Sequence, residues 1–588
     1  MRPIKRLAVI LFVLAGWTGI YCSSLSFLLK SFAQASAPAS ATGQKSEPVA
    51  KGQPEGKPAG KSEKAKAASS SAKAAQILDE TYQLALNAKP AVKVEILSQV
   101  ANTMKEVDKT RAGKIYQTAF EATQELPADD TNKRAQAQSE LAVGFADIDV
   151  ESALALAMRV EETPPADKPD IMMSLFGRGN TNFRAQAIQQ VASKVGEKDL
   201  SRAVLLILPT LQNRDFPFDA VMPLLMKLQR SAPDQANTLF GEMIRQFSAG
   251  NPSFMQTVMF ATATRVFANV NSNLALEAVD AVLQKIPELE EATMKEMMKN
   301  APPGSSPQSM PFSFGAIIKM ALVPTLKKLD PARGEALEKE IKPQMESMDK
   351  MTGGMFSSGM NMDFDSSEPP EKQQQKFFDG LDPQKFPESQ RGAMSNVMAM
   401  SLADLNPQKA LAFAEYATDE RQKTLALAAI AGGFASSDKE RARSLLSDAA
   451  SAAEKIKGKP DRAVIFTMLA ESAVKIDRTL APGFYATAFE NYEQAFDELS
   501  QSVSSEKERS ANTQKRKELS NRESRAIAGY ANVNFDDAVE RARRIGDERQ
   551  KLLTLVQLAR RILVPADLPS VLQFIDAPTP QTLPDRSL

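Results

Sequence analysis

Residues 424–456 read TLALAAIAGGFASSDKERARSLLSDAASAAEKI. In the second half Ala442, Leu445, Leu446, Ala449, Ala452, Ala453 and Ile456 fall at i, i+3, i+4, i+7, i+10, i+11 and i+14. That spacing makes one continuous apolar stripe on an α-helix. Leu427, Ile430, Ala431 and Phe434 make a second stripe. Between them Ser436-Ser437-Asp438 supplies a turn and an N-cap, because the Asp carboxylate accepts from the first free backbone N–H groups. The unit is a helical hairpin with one apolar side, which has to be buried by stacking on further hairpins. The stretch predicts an all-α chain folded as an α-solenoid.

The same pattern recurs. At an offset of 330, Leu427, Ile430, Ala431, Phe434 and Asp438-Lys439 match Leu97, Val100, Ala101, Met104 and Asp108-Lys109. Ala442, Leu445, Leu446, Ala449 and Ala452 match Ala112, Ile115, Tyr116, Ala119 and Ala122. After a loop the offset becomes 328, and Arg462-Ala463, Leu469-Ala470 and Asp477 match Arg134-Ala135, Leu141-Ala142 and Asp149. Duplicated helices joined by length-tolerant connections behave this way. A second series has an offset of 128: Ala403, Asn406, Ala410, Ala414 and Asp419-Glu420-Arg421-Gln422-Lys423 return as Ala531, Asn534, Ala538, Ala542 and Asp547-Glu548-Arg549-Gln550-Lys551. A weaker copy starts at Ala146, with Asp149, Ala153 and Ala157. Asp108 to Asp149 is 41 residues and Asp438 to Asp477 is 39.

Units of roughly 35–45 residues are similar to tetratricopeptide- and HEAT-type arrays. The resemblance is to that architectural class, since the tetratricopeptide consensus of Trp, Leu-Gly and Tyr is unmatched. The chain also resembles exported, Ala-rich helical-repeat proteins of bacteria, a likeness that implies a solenoid and no particular chemistry.

Composition excludes much chemistry. Of 588 residues none is His, and the one Cys and one Trp, Cys22 and Trp17, lie in an apolar N-terminal segment. The rest of the chain has no imidazole or thiolate for nucleophilic catalysis and no ligands for an ordinary structural zinc site. It also has no disulfide. No phosphate-binding or dinucleotide glycine fingerprint is present.

Arg2, Lys5 and Arg6 precede a charge-free run from Leu7 to Leu29, followed by Ala33-Gln34-Ala35. This is the layout of a secretory signal peptide over residues 1–35. The run is 23 residues, longer than the usual apolar region of about 7–15. A signal anchor in the membrane is therefore the alternative, and either reading sends the remainder to the periplasm or cell envelope. Residues 36–76 are rich in Ala, Ser, Pro, Gly and Lys and read as a disordered tether. The segments 1–35 and 36–76 each carry +4, which leaves −8 for residues 77–588. A mildly acidic body argues against nucleic-acid binding. Helical repeats are expected over 77–342 and 377–563, a disordered Met-rich insertion over 343–376, and a tail over 564–588.

Three functions follow from these features. The first is an exported scaffold that binds a protein or peptide, without catalysis or cofactor, because stacked hairpins create extended surface. The second is a cell-wall hydrolase working through a carboxylate pair. The third is Cu(I) binding through Met345, Met348, Met351 and Met355, whose thioethers are soft ligands. The two Asp-Glu-Arg-Gln-Lys copies are read as helix starts, with Asp419 and Asp547 as caps, because a catalytic centre is normally unique in a chain.

Overall fold

A computed structural model describes residues 60–127, 130–163, 182–212, 218–250, 252–299, 314–352, 382–385, 388–501 and 506–563. The expected signal segment, residues 36–59 of the tether, residues 353–376 of the Met-rich insertion and the tail lie outside them. Every regular element among the described residues is helical. None of these helices is long and apolar enough to cross a membrane.

The α-helices are α1 (Gly60–Leu86), α2 (Pro90–Met104), α3 (Lys109–Ala122), α4 (Thr131–Phe145), α5 (Val150–Arg159), α6 (Phe183–Val195) and α7 (Leu200–Ile207). Then come α8 (Phe218–Ser231), α9 (Pro233–Ala249), α10 (Phe254–Phe267), α11 (Ser272–Lys299), α12 (Phe314–Leu329) and α13 (Pro331–Thr352). The remainder are α14 (Glu388–Leu402), α15 (Pro407–Ala414), α16 (Glu420–Phe434), α17 (Lys439–Ala453), α18 (Lys459–Ile476), α19 (Ala481–Gln501), α20 (Glu506–Tyr530), α21 (Phe535–Arg544) and α22 (Glu548–Leu563).

Sequential helices pair as hairpins, α2 with α3, α4 with α5, and so on to α20 with α21. The first member of each pair stands in an inner row, and each inner helix packs on the next. In space this row runs α14, α16, α18, α20, α22, α2, α4, α6, α8, α10, α12. The inner row is therefore circularly permuted relative to the sequence. It starts in the chain's second half, passes from the last helix to the first ones, and continues through the first half.

The joint is a hairpin built from both ends of the described chain. Among the described residues no outer helix follows α22, and α1 fills that place, packing on both α22 and α2. Ala74, Leu78 and Ala85 of α1 are fully buried and Ile77 nearly so. They belong to one apolar cluster that takes in both α1–α6 and α14–α22. A second cluster starts at Ala192 and Val195 of α6 and continues into α13.

Two expected boundaries shift. Helix α1 begins at Gly60, so the tether expected over 36–76 is helical in its described part. The segment GKSEKAKAASSSAKAA lacks large apolar residues but is rich in helix formers, and Ala alone suffices at close inner contacts, as at Ala74. The insertion expected from residue 343 likewise begins later, because α13 continues to Thr352 with Pro343 inside it. Residues 506–525, polar with few apolar positions, are helical as part of α20.

Most outer helices start on a recurring acidic or amide cap; α9, with Ala232 at its N-cap, does not. The side chains of Asp108, Asp199, Asn406 and Asp438 accept from the backbone N–H three residues on, at 2.9 to 3.0 Å. Asp149, Asn271, Asp330 and Asn534 do the same at 3.1 to 3.4 Å. Each satisfies an otherwise orphaned helix donor, worth about 1 kcal/mol. Asp477 instead closes the turn before α19, accepting from Thr479 N at 3.2 Å.

Small residues set the spacing between inner helices. A Cβ at Gly433 of α16 would stand 1.8 Å from the Ala403 carbonyl oxygen of the preceding unit. Backbone cannot yield as a flexible side chain can, so Gly433→Ala is expected to cost at least the ~1–3 kcal/mol typical of overpacking. Gly241→Ala, where nothing lies within 4 Å, should instead stabilise by up to ~1 kcal/mol through helix propensity. Urea unfolding midpoints of the two variants check both signs.

Candidate functional site

The repeated Asp-Glu-Arg-Gln-Lys motif is a joint between inner helices. Asp419 and Asp547 accept from the backbone N–H of Gln422 and Gln550, each at 2.8 Å. The following arginine reaches the next inner helix. Arg421 of α16 pairs with Asp461 of α18 at 2.5 Å. Arg549 of α22 pairs with Glu95 of α2, its Nε donating at 2.6 Å and its Nη2 bonding the other oxygen. One motif joins helices neighbouring in sequence; its copy joins helices near the two ends of the described chain.

A second joint runs along the outer row. Three residues after the cap, Arg111, Arg202, Arg333 and Arg441 each reach back to the preceding outer helix. Arg202 of α7 pairs with Glu151 of α5 at 2.5 Å. Arg333 of α13 pairs with Asp280 of α11, and Arg441 of α17 donates to Gln408 of α15 at 2.9 Å. Arg111 of α3 pairs with Asp79 of α1 at 2.5 Å. It thus treats α1 as the preceding outer helix. On the other side of α1, Arg543 of α21 pairs with Glu80 at 2.7 Å, and Lys73 bonds Asp536 and lies 5.0 Å from the Phe535 ring centroid. The signal for this joint, an Asp followed at +3 by Arg, was available in the sequence as Asp108/Arg111, Asp199/Arg202, Asp330/Arg333 and Asp438/Arg441.

Many of the carboxylates that a hydrolase reading would draw on are engaged in these caps and pairs. Glu471 of α18 stands apart from them as a buried carboxyl, 5% exposed. Burial pushes it up to about 8, against the pull of Arg561 and Lys475. It is enclosed by helices and no second carboxylate shares its position, since nearby Asp404 is paired with Lys475 at 2.8 Å. A groove of about 490 Å³ lies between α9 and α11, lined by Ile244, Ser248, Asn273, Leu276, Glu277 and Asp280 among others. Its Asp280 is the one bound to Arg333.

Of the methionines of the copper expectation, the structure describes the side chain of Met345 alone. Met345 is partly buried on α13 and packs against the second apolar cluster. Met348 and Met351 follow on the same helix, and Met355 lies outside the described residues. Among the described residues no group of three or more His, Cys, Asp or Glu side chains is placed to hold a metal ion.

If α1 is a true member of the outer row, its rung should behave like any other. A double-mutant cycle on Asp79→Ala and Arg111→Ala, read by urea unfolding, is expected to give a coupling of roughly 0.2–1 kcal/mol. The coupling should shrink at high salt, because both side chains are partly exposed. A coupling of zero at low salt would contradict the rung.

No family model matches the chain, and no curated protein does. Among solved structures it is similar to one described as a "Circular tandem repeat protein with novel repeat topology and enhanced subunit contact surfaces". That similarity has 12% sequence identity and a TM-score of 0.17, and covers 84% of this chain and 98% of the other. The helical-repeat class therefore rests on the chain's own stacked hairpins.

Proposed function

We propose that the chain is an exported helical-repeat scaffold that binds a protein or peptide in the cell envelope and carries out no catalysis. The observation supporting this most strongly is the row of stacked hairpins. Such arrays present extended surfaces made from many equivalent side chains. The recurring polar residues favour the same reading. Caps and cross-helix arginines account for the repeated motifs, so their repetition is a structural need and calls for no chemistry. Export is supported by the basic, apolar and small-residue order of residues 1–35.

The test is fractionation followed by affinity capture. The full chain, expressed from its own leader, is expected in the envelope fraction. Capture with the exported form should enrich one or a few specific proteins above a control helical protein of matched charge. Recovery in the cytoplasm, or no enrichment above that control, would count against the proposal. N-terminal sequencing of the exported form separates a cleaved signal from an anchor.

A further inference from the structure

Hairpin α2/α3 contains a buried polar pair. Tyr116 of α3 donates its hydroxyl to Asn102 Oδ1 of α2 at 2.6 Å. The two residues are 14 apart, and Gly144 of α4 makes room, since a Cβ there would stand 2.7 Å from the Tyr116 oxygen. Hairpin α18/α19 repeats this arrangement. Tyr485 lies 14 residues after Glu471, and a Cβ at Gly529 of α20 would stand 2.5 Å from the Tyr485 oxygen and 2.8 Å from Glu471 Oε1. The register is the same, but a titratable acid has replaced the amide.

Here the hydrogen bond is not made. Glu471 Oε1 and the Tyr485 hydroxyl are both buried without a hydrogen-bond partner. Both face the bare Cα of Gly529. Buried polar groups normally find partners, and leaving one unpaired costs about 1–3 kcal/mol. A carboxylic acid can supply the missing donor or acceptor; a carboxylate beside a tyrosine in an apolar site is a buried charge.

We propose that Glu471 and Tyr485 form a proton-operated latch that holds α19 and α20 against α18. With the carboxyl neutral, the pair bonds across the gap at Gly529. With the carboxyl ionised, a buried charge that Tyr485 does not neutralise is left between α18, α19 and α20, and α19 and α20 loosen.

The surroundings fit this role. Tyr485 approaches from α19, and α20 presents Gly529 and the Ala528 carbonyl. That carbonyl already accepts from Arg561 of α22 at 2.5 Å. On α18 itself Lys475 is held by Asp404 of the turn after α14. From α16 the Ala428 carbonyl faces α18 and is taken by the Ser472 hydroxyl at 2.6 Å. Arg443 of α17 is turned to Asp477 at 3.4 Å. Arg561, Lys475 and Asp404 are thus the charged groups around Glu471, and burial outweighs the two cations. A second carboxyl nearby, Glu523 of α20, is pushed up to about 7 by burial and by Glu493 of α19, against Arg541 of α21. It acts in the same direction and has to be separated in the test.

The sign follows from linkage. A carboxyl held at about 8 in the seated state and near its ordinary value when released keeps its proton only when seated. Seating is therefore strongest below roughly pH 4.5, weakens as pH rises, and stops changing above the seated value. The latch is closed by acid and opened by base.

The test is hydrogen exchange over residues 481–501 and 519–530 of the full chain, corrected for intrinsic exchange. For the wild type the opening constant is expected to rise by up to roughly tenfold per pH unit between about pH 5.5 and 8, then level off. Glu471→Gln should remove most of that slope, and Glu523→Gln should leave the share belonging to Glu471. Tyr485→Phe should raise opening several-fold at low pH while keeping the slope. The proposal is overturned if E471Q keeps the wild-type slope, or if these segments respond to pH no more than α8 and α10 do. Should E471Q fold poorly, Y485F decides: unchanged opening at low pH overturns the proposal.

Discussion

The packing of α1 into the outer place beside α22 holds the two halves of the array in one row. Every other hairpin has its two helices joined by chain. This one does not, and its contacts span a sequence separation of 463 residues at Lys73–Asp536 and Glu80–Arg543. Its stability has to come from burial of Ala74, Ile77, Leu78 and Ala85 and from the rungs to α21 and α3. Ordinary solenoids are stabilised by nearest neighbours alone and can nucleate anywhere along their length. Here the central neighbours are distant in sequence, and closing that long loop carries an entropic cost that local hairpins avoid. The seam between α22, α1 and α2 is accordingly the place where folding of the halves becomes coupled.

Much of this was legible in the residues. The stripe from Ala442 to Ala453 folds as α17, with Ile456 beyond its end, and Asp108, Asp149 and Asp438 cap outer helices as their positions after apolar runs implied. Asp419 and Asp547 also cap. Those readings depend only on periodicity and local hydrogen bonding, which act within a few residues. The place of α1 was not legible, because its partner is at the other end of the chain and its buried face is largely alanine. Composition made the segment look like a tether; register, with Ala74, Ile77, Leu78 and Ala85 on one helical face, was the better guide. The span of α13 was hidden in a similar way, since Met and charged residues mask a helix whose Met345 reaches the second cluster.

The roles of polar residues divide by burial. Arginines at the helix starts are partly exposed and join neighbours through pairs that are individually weak and collectively numerous. Glu471 is enclosed and unpaired, where a titratable group has much larger leverage. Its significance is invisible against 72 acidic residues. It emerges only when hairpins α2/α3 and α18/α19 are aligned on their tyrosines, 14 residues after Asn102 in one and after Glu471 in the other. Repetition is thus informative twice. Shared residues identify the scaffold, and a departure within a shared register identifies a position with a different task.

The central claim is that the first and last described helices form one hairpin, and a distance measurement tests it most directly. With Cys22 replaced by Ser, spin labels introduced through Leu84→Cys on α1 and Arg544→Cys on α21 report the separation across the seam. The account predicts one short, narrow distance distribution in the folded protein, lost when the chain is unfolded in denaturant. A broad distribution of long distances under folding conditions would contradict it.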